Sequence, residues 1–230
     1  MRSISTDYVK ERAPAHRAPP AEPLRMNDDM RSGYRPRPAT IERSREIREV
    51  AARYIAEHGL WSFSMLTLSK HLRCLLPTLC YYYKKREELI TDIVLRHVET
   101  LRARTGLAME EAEDDSPASE LHVFAREYLL VALAEQDFHR LMVRFADLAG
   151  PVEGKAFVTR YESLREMVES RLTAHASGLA GKPEVAAALS RTLLDTLSGA
   201  ALWLEPYGAV KPTAFAAMAT DRLLDQAVRS

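Results

Sequence analysis

Residues 65–86 read MLTLSKHLRCLLPTLCYYYKKR, and their spacing decides the fold. The pattern fits two short helices, about 65–72 and 76–83, with a three- or four-residue turn between them. Two short helices joined that tightly form a helix-turn-helix, whose second helix can enter a major groove roughly 12 Å wide. Lys84, Lys85 and Arg86 follow at once, three consecutive cations suited to the phosphates that flank a groove. Glu87 and Glu88 then open the next helix, as its N-terminal dipole prefers. Upstream, Ile47, Val50, Ala51, Tyr54 and Ile55 make one apolar stripe of a helix over about 41–58, stopped by Gly59.

Beyond this trio the periodicity stays helical. Ile90, Ile93, Val94, His97, Val98 and Leu101 predict a helix ending near Gly106. An acidic loop follows, with Ser119 as a plausible cap for a helix carrying Leu121, Phe124, Ala125, Tyr128, Leu129 and Ala132. Phe157, Tyr161, Leu164, Val168 and Leu172 predict a long helix stopping near Gly178, and Val185 to Leu204 another over 183–205. Phe215, Met218, Ala219, Leu223 and Ala227 close the chain. Strand-like alternation is rare, so the fold class is all-α, about nine helices in bundles.

Six of the twelve prolines lie in the first 38 residues, without apolar periodicity. Residues 1–40 are therefore expected to be a mobile Pro/Arg-rich arm, either an inert extension or a basic arm touching DNA. Residues 41–88 then form the helix-turn-helix domain and 89–230 the C-terminal one. The 32 basic and 32 acidic side chains cancel over the chain but not within it. Residues 1–105 carry a net +7 and residues 106–230 a net −7, which points to a nucleic-acid-facing first part. No apolar run spans a membrane and no signal peptide is visible, so a cytoplasmic protein is expected. Cys74 and Cys80 cannot make a disulfide framework. They read as small buried hydrophobes or, less readily, as a redox switch.

The run Ile47–Leu89 resembles the DNA-binding domain of the tetracycline-repressor (TetR/AcrR) family of bacterial regulators. The resemblance rests on Ala51-Ala52, Gly59, Leu68-Ser69, Pro77-Thr78-Leu79, Lys84, Arg86 and Glu88-Leu89 at unbroken spacing. It implies a homodimer on a palindromic double-stranded operator, and a helical C-terminal domain that binds a small effector and dimerises through its last two long helices. Four positions depart from the family pattern. Arg73 replaces the usual turn Gly, and Leu75 replaces the polar cap of the recognition helix. Leu76 and Cys80 stand where polar or phosphate-binding residues are usual. The expected groove and backbone contacts are Thr67, Leu76, Pro77, Thr78, Tyr81, Tyr82, Lys84, Lys85 and Arg86, with Leu75 or Leu76 on thymine methyls. The departures also leave open a protein whose altered helix-turn-helix acts through protein or ligand binding, without specific DNA recognition.

In the C-terminal part, Phe124, Tyr128, Met142, Phe145, Tyr161 and Trp203 are candidate ligand-binding residues, with His139 and Arg144 as further polar groups. The segment Trp203-Leu204-Glu205-Pro206-Tyr207-Gly208 resembles the tail of TetR-type regulators of acyl-CoA and steroid catabolism, which implies a hydrophobic or acyl-CoA-like effector. Plain helix termination by Pro and Gly explains the same residues. No phosphate loop, HExxH helix or nucleophile elbow appears. The seven histidines stand one by one without metal spacing. No catalytic residue, metal or cofactor is expected.

Overall fold

The structure, a computed structural model, describes residues 38–230 except 113, 146–149, 206 and 207. Among these residues there is no strand, and nine α-helices follow in order. They are α1 (Pro38–His58), α2 (Met65–His71), α3 (Leu76–Tyr82), α4 (Arg86–Glu110), α5 (Pro117–Ala134), α6 (Gln136–Phe145), α7 (Pro151–His175), α8 (Pro183–Ala200) and α9 (Pro212–Arg229). The expected arm lies outside the described residues as far as residue 37. Its last three residues already belong to α1.

The helix-turn-helix domain forms around residues the stripe predicts. Ile47, Ala51, Ala52 and Ile55 of α1 meet Leu68 and Leu72 of the second helix region, Leu79 of α3 and Leu89, Ile90 and Ile93 of α4, all buried. Truncating one such buried leucine to alanine costs about 2–5 kcal/mol. Ser64 caps α2, its hydroxyl accepting from the Thr67 N–H at 3.1 Å. Then the chain turns at Arg73, whose φ of 50° is the only positive value outside glycine among the described residues. The Cys74 N–H reaches the Ser69 carbonyl at 3.0 Å and the Arg73 N–H the Lys70 carbonyl at 3.2 Å. This pair of bonds is a Schellman stop, which demands a left-handed residue where Arg73 stands.

The long α4 then runs into the second half, packing on α1 near its start and on α5, α6 and α7 further along. α5 packs on α9, α7 on α8, and α8 on α9. Several element ends differ from the periodicity. α5 starts at Pro117, capped by Ser116 and not by Ser119: the Ser116 hydroxyl accepts from the Ser119 N–H at 3.3 Å. Proline fits the first turn because that turn needs no N–H partner. α4 does not stop at Gly106 but continues to Glu110. A Cβ on Gly106 would lie 3.7 Å from the Met167 methyl of α7, ordinary contact distance, so the packing there does not require glycine. α7 ends at His175, before a 3-10 turn over Ser177–Gly181, and α8 ends at Ala200, with a turn in place of its expected last five residues. The sequence reading did not delimit α6, although Phe138, Leu141, Met142 and Phe145 stand at helical spacing.

Candidate functional site

Two sites emerge, one on the helix-turn-helix and one inside the C-terminal bundle. On the first, α3 is anchored from beneath and bare above. Leu79 is fully buried, while Leu75, Pro77 and Thr78 are exposed, Leu75 by 76%. Leu75 occupies the N-cap with no side-chain hydrogen bond, Pro77 has no N–H, and the Thr78 N–H closes onto the Leu75 carbonyl at 3.0 Å. Leu76, Tyr81 and Tyr82 are half-buried, and the two tyrosine rings meet edge to face at 5.3 Å. Because Leu76 is turned partly inward, Leu75 is the apolar group presented outward. Cys74 and Cys80 are free, partly buried thiols.

The flanking cations divide. Lys84 and Lys85 are exposed. Arg86, expected on a phosphate, is engaged within the domain. Its guanidinium donates to the Phe63 carbonyl at 3.0 Å and to Glu87 at 2.9 Å, tying the start of α4 to the chain before α2. Thr67 is likewise engaged, its hydroxyl 2.7 Å from that of Ser64. Tyr83, the third tyrosine, is buried and donates its O–H to Asp92 at 2.7 Å. Burial first, then the Asp92 carboxylate, pushes that phenol far above its ordinary pKa. Arg48 of α1 and Arg96 bind the same Asp92 at 3.3 and 2.8 Å. This node locks α1 and the end of α3 onto α4. Trp61, which periodicity did not single out, stands 92% exposed in the 3-10 turn Leu60–Ser62 before α2.

In the bundle, Phe124, Tyr128, Met142 and Phe145 are buried together, with Tyr161 partly so. Phe145 meets Phe157 at 5.4 Å, and Phe157 stacks on Tyr161 at 5.5 Å. A polar seam crosses this apolar core. The Ser198 hydroxyl lies 2.7 Å from that of Tyr128 and 3.5 Å from that of Tyr161. Burial raises the pKa of both phenols, so they act as neutral donors and acceptors. His139, fully buried, places Nε2 at 3.4 Å from the Ser198 carbonyl and Nδ1 at 3.1 Å from Nε2 of His97. The other His97 nitrogen lies 2.8 Å from the Glu135 carboxylate. Burial, with a smaller push from His97, lowers the His139 pKa to about 3, so this imidazole is neutral. Its N–H goes to the Ser198 carbonyl, which can only accept, and its Nδ1 accepts from His97.

The histidines are thus not all solitary, as the sequence suggested. Two of them, 42 residues apart, meet inside the protein. Only the helix packing creates that contact, and no local spacing foretells it. Two other candidates fall outside this core. Trp203 is 59% exposed and sits edge-on to Phe215 of α9 at 5.6 Å, because α8 ends before reaching it. Arg144 is exposed and lines an outer cleft beside α1. No group of three His, Cys, Asp or Glu side chains among the described residues could hold a metal ion. No described helix is long and apolar enough to cross a membrane.

No family model and no curated protein sequence matches the chain. Solved structures do match it. A TetR-family transcriptional regulator from Bordetella parapertussis superposes with a TM-score of 0.71 at 20% identity, covering 79% of this chain and 94% of that one. The TetR-family regulator PfmR from Thermus thermophilus gives 0.67 at 20% identity, over 78% and 97% of the two chains. AibR in complex with isovaleryl coenzyme A and operator DNA gives 0.64 at 17% identity, over 80% and 97%. With its helix-turn-helix at α2–α3 and a helical bundle behind the long α4, the chain has the fold of the TetR-family transcriptional regulators.

Proposed function

We propose that this protein is a ligand-responsive, DNA-binding transcriptional regulator, a repressor that a small hydrophobic molecule releases from a palindromic operator. The observation that carries this reading is the outer face of α3. Leu75, Pro77 and Thr78 stand exposed at the helix start, and Lys84 and Lys85 stand exposed just past its end. Uncharged groups read base edges and thymine methyls, and the two lysines grip the backbone. Tyr81 and Tyr82 complete the contact surface from its sides.

The effector is assigned to the core of Phe124, Tyr128, Met142, Phe145 and Tyr161, which is apolar around a polar seam of Tyr128, Ser198 and His139 that would orient a ligand. Among the neighbours, AibR is described with isovaleryl coenzyme A and operator DNA, which supports a hydrophobic or acyl-type effector here. A homodimer is supported by the apolar residues Trp203, Met218 and Val228, exposed on and beside the last two helices. A second reading, a reader that no longer recognises DNA, is favoured by the uncapped Leu75 and the strained Arg73.

A mobility shift on the gene's own upstream region at two salt concentrations separates the two. Repression requires a sequence-specific shift that weakens steeply with salt. Replacing Lys84 and Lys85 by alanine then flattens the salt slope by roughly 0.9 per lysine, while Thr78→Ala changes sequence preference. A folded dimer that shifts no DNA at low salt would establish the second reading instead.

A further inference from the structure

We infer that the cleft between the end of α1 and α6 is a second small-molecule site, separate from the bundle core, that takes a small amphipathic carboxylate. The cleft holds about 360 Å³, within the range of small-ligand pockets. Ile55, Leu60 and Leu141 line it, and Val143 and Leu202 stand at its wall with 38% and 39% of their surface exposed to water. Arg140 and Arg144, one turn apart on α6, line the same cleft. Among the described residues, the one ion pair Arg140 makes is with Asp137 at 3.9 Å, too long for a hydrogen bond. Arg144 makes none. With Asp137 counted against the two arginines, the cleft keeps a net positive charge next to uncovered apolar surface. An anionic head on a short apolar tail matches both halves, whereas a cation or a purely apolar molecule matches one at most.

The site also lies where occupancy has a mechanical consequence. Its α1 wall belongs to the reader domain and its α6 wall to the sensor bundle. A molecule bridging the two biases how those helices pack.

Both tryptophans of the chain stand next in sequence to residues of the cleft, Trp61 after Leu60 and Trp203 after Leu202. The test titrates the full chain with octanoate, read by tryptophan fluorescence and confirmed by calorimetry, with octylamine as the cationic control. A saturable fluorescence change with octanoate and none with octylamine is expected. Arg140→Gln with Arg144→Gln should weaken binding by about tenfold or more, and Val143→Glu, which adds a repelling charge, should do the same. Tyr161→Phe, in the bundle core, should leave the affinity within about twofold. The inference is overturned by absence of saturable binding, by equal affinity for octylamine, or by a double arginine variant that binds like wild type. It is equally overturned if Tyr161→Phe, and not the arginine pair, abolishes binding. None of these outcomes depends on whether the protein binds DNA.

Discussion

The buried His139 makes the fold acid-sensitive in a way that a single substitution should remove. In the folded protein its pKa is lowered to about 3, burial being the larger cause and His97 the lesser. In the unfolded chain an imidazole titrates near 6.5. As pH falls through 6.5 the unfolded state takes up a proton that the native state refuses, so stability drops as acid is added. The loss proceeds down to about pH 3 and approaches 1.4 kcal/mol per pH unit. Between pH 7 and pH 5 this one group removes about 2 kcal/mol, a large part of a stability of about 5–15 kcal/mol. Glutamine can take over both of its bonds, donating to the Ser198 carbonyl and accepting from His97, but it does not titrate. Urea unfolding of wild type and His139→Gln across pH 5–7 should therefore give curves that converge on acidification, the difference changing by about 2 kcal/mol. Carboxylates titrate in both proteins and cancel in that difference. Parallel curves, offset by a constant, would refute the buried neutral imidazole as the source.

Three further outcomes are expected. Arg73→Gly relieves the left-handed residue of the Schellman stop, and denaturant melts should show a gain of about 1 kcal/mol; a loss would mean that the Arg73 side chain stabilises the turn. Gly106→Ala should stabilise by roughly 0.5–1 kcal/mol, because the added Cβ meets only the Met167 methyl at ordinary contact distance; destabilisation in the same melts would show that α4 and α7 sit closer than this. Asp92→Ala strips Arg48, Arg96 and Tyr83 of their shared acceptor. It should cost about 3 kcal/mol and loosen amide protection in α1 more than in α9, whereas uniform loosening would deny the node its local role.

What could be read in the sequence was whatever depended on neighbours along the chain. The turn chemistry is one case: the family resemblance marks Arg73 as standing where a turn Gly is usual, and Arg73 does stand at a φ of 50°. The uncapped start of α3 at Leu75 is another. Errors arose where a local signal has two physical meanings. Gly106 looked like a helix stop, yet it lies inside α4, because a glycine can end a helix or be tolerated within one, and only the packing of the residues beyond it decides between them. For Arg86, expected on a phosphate with Lys84 and Lys85, the sequence does not show its partners inside the domain. Its guanidinium is engaged by a carbonyl 23 residues earlier, a contact that no window along the chain contains.

The two buried polar nodes share this long-range character, and their placement explains why α4 is the natural link between reader and sensor. Asp92 gathers Arg48 of α1 and Tyr83, at the end of α3. His97, five positions further along the same helix, gathers Glu135 and His139 at the start of α6. Apolar packing tolerates sliding by small repacking steps, but a buried hydrogen bond that loses its partner costs about 1–3 kcal/mol and has few alternative geometries. A rotation or shift of α4 large enough to re-aim α3 must therefore disturb both nodes together. Under the proposed function, an effector that rearranges the Tyr128–Ser198–His139 seam would act on the His97 node, and the Asp92 node stands where α3 joins the domain. Such a coupling needs a rigid α4 with both polar nodes in its first half, where Asp92 and His97 stand.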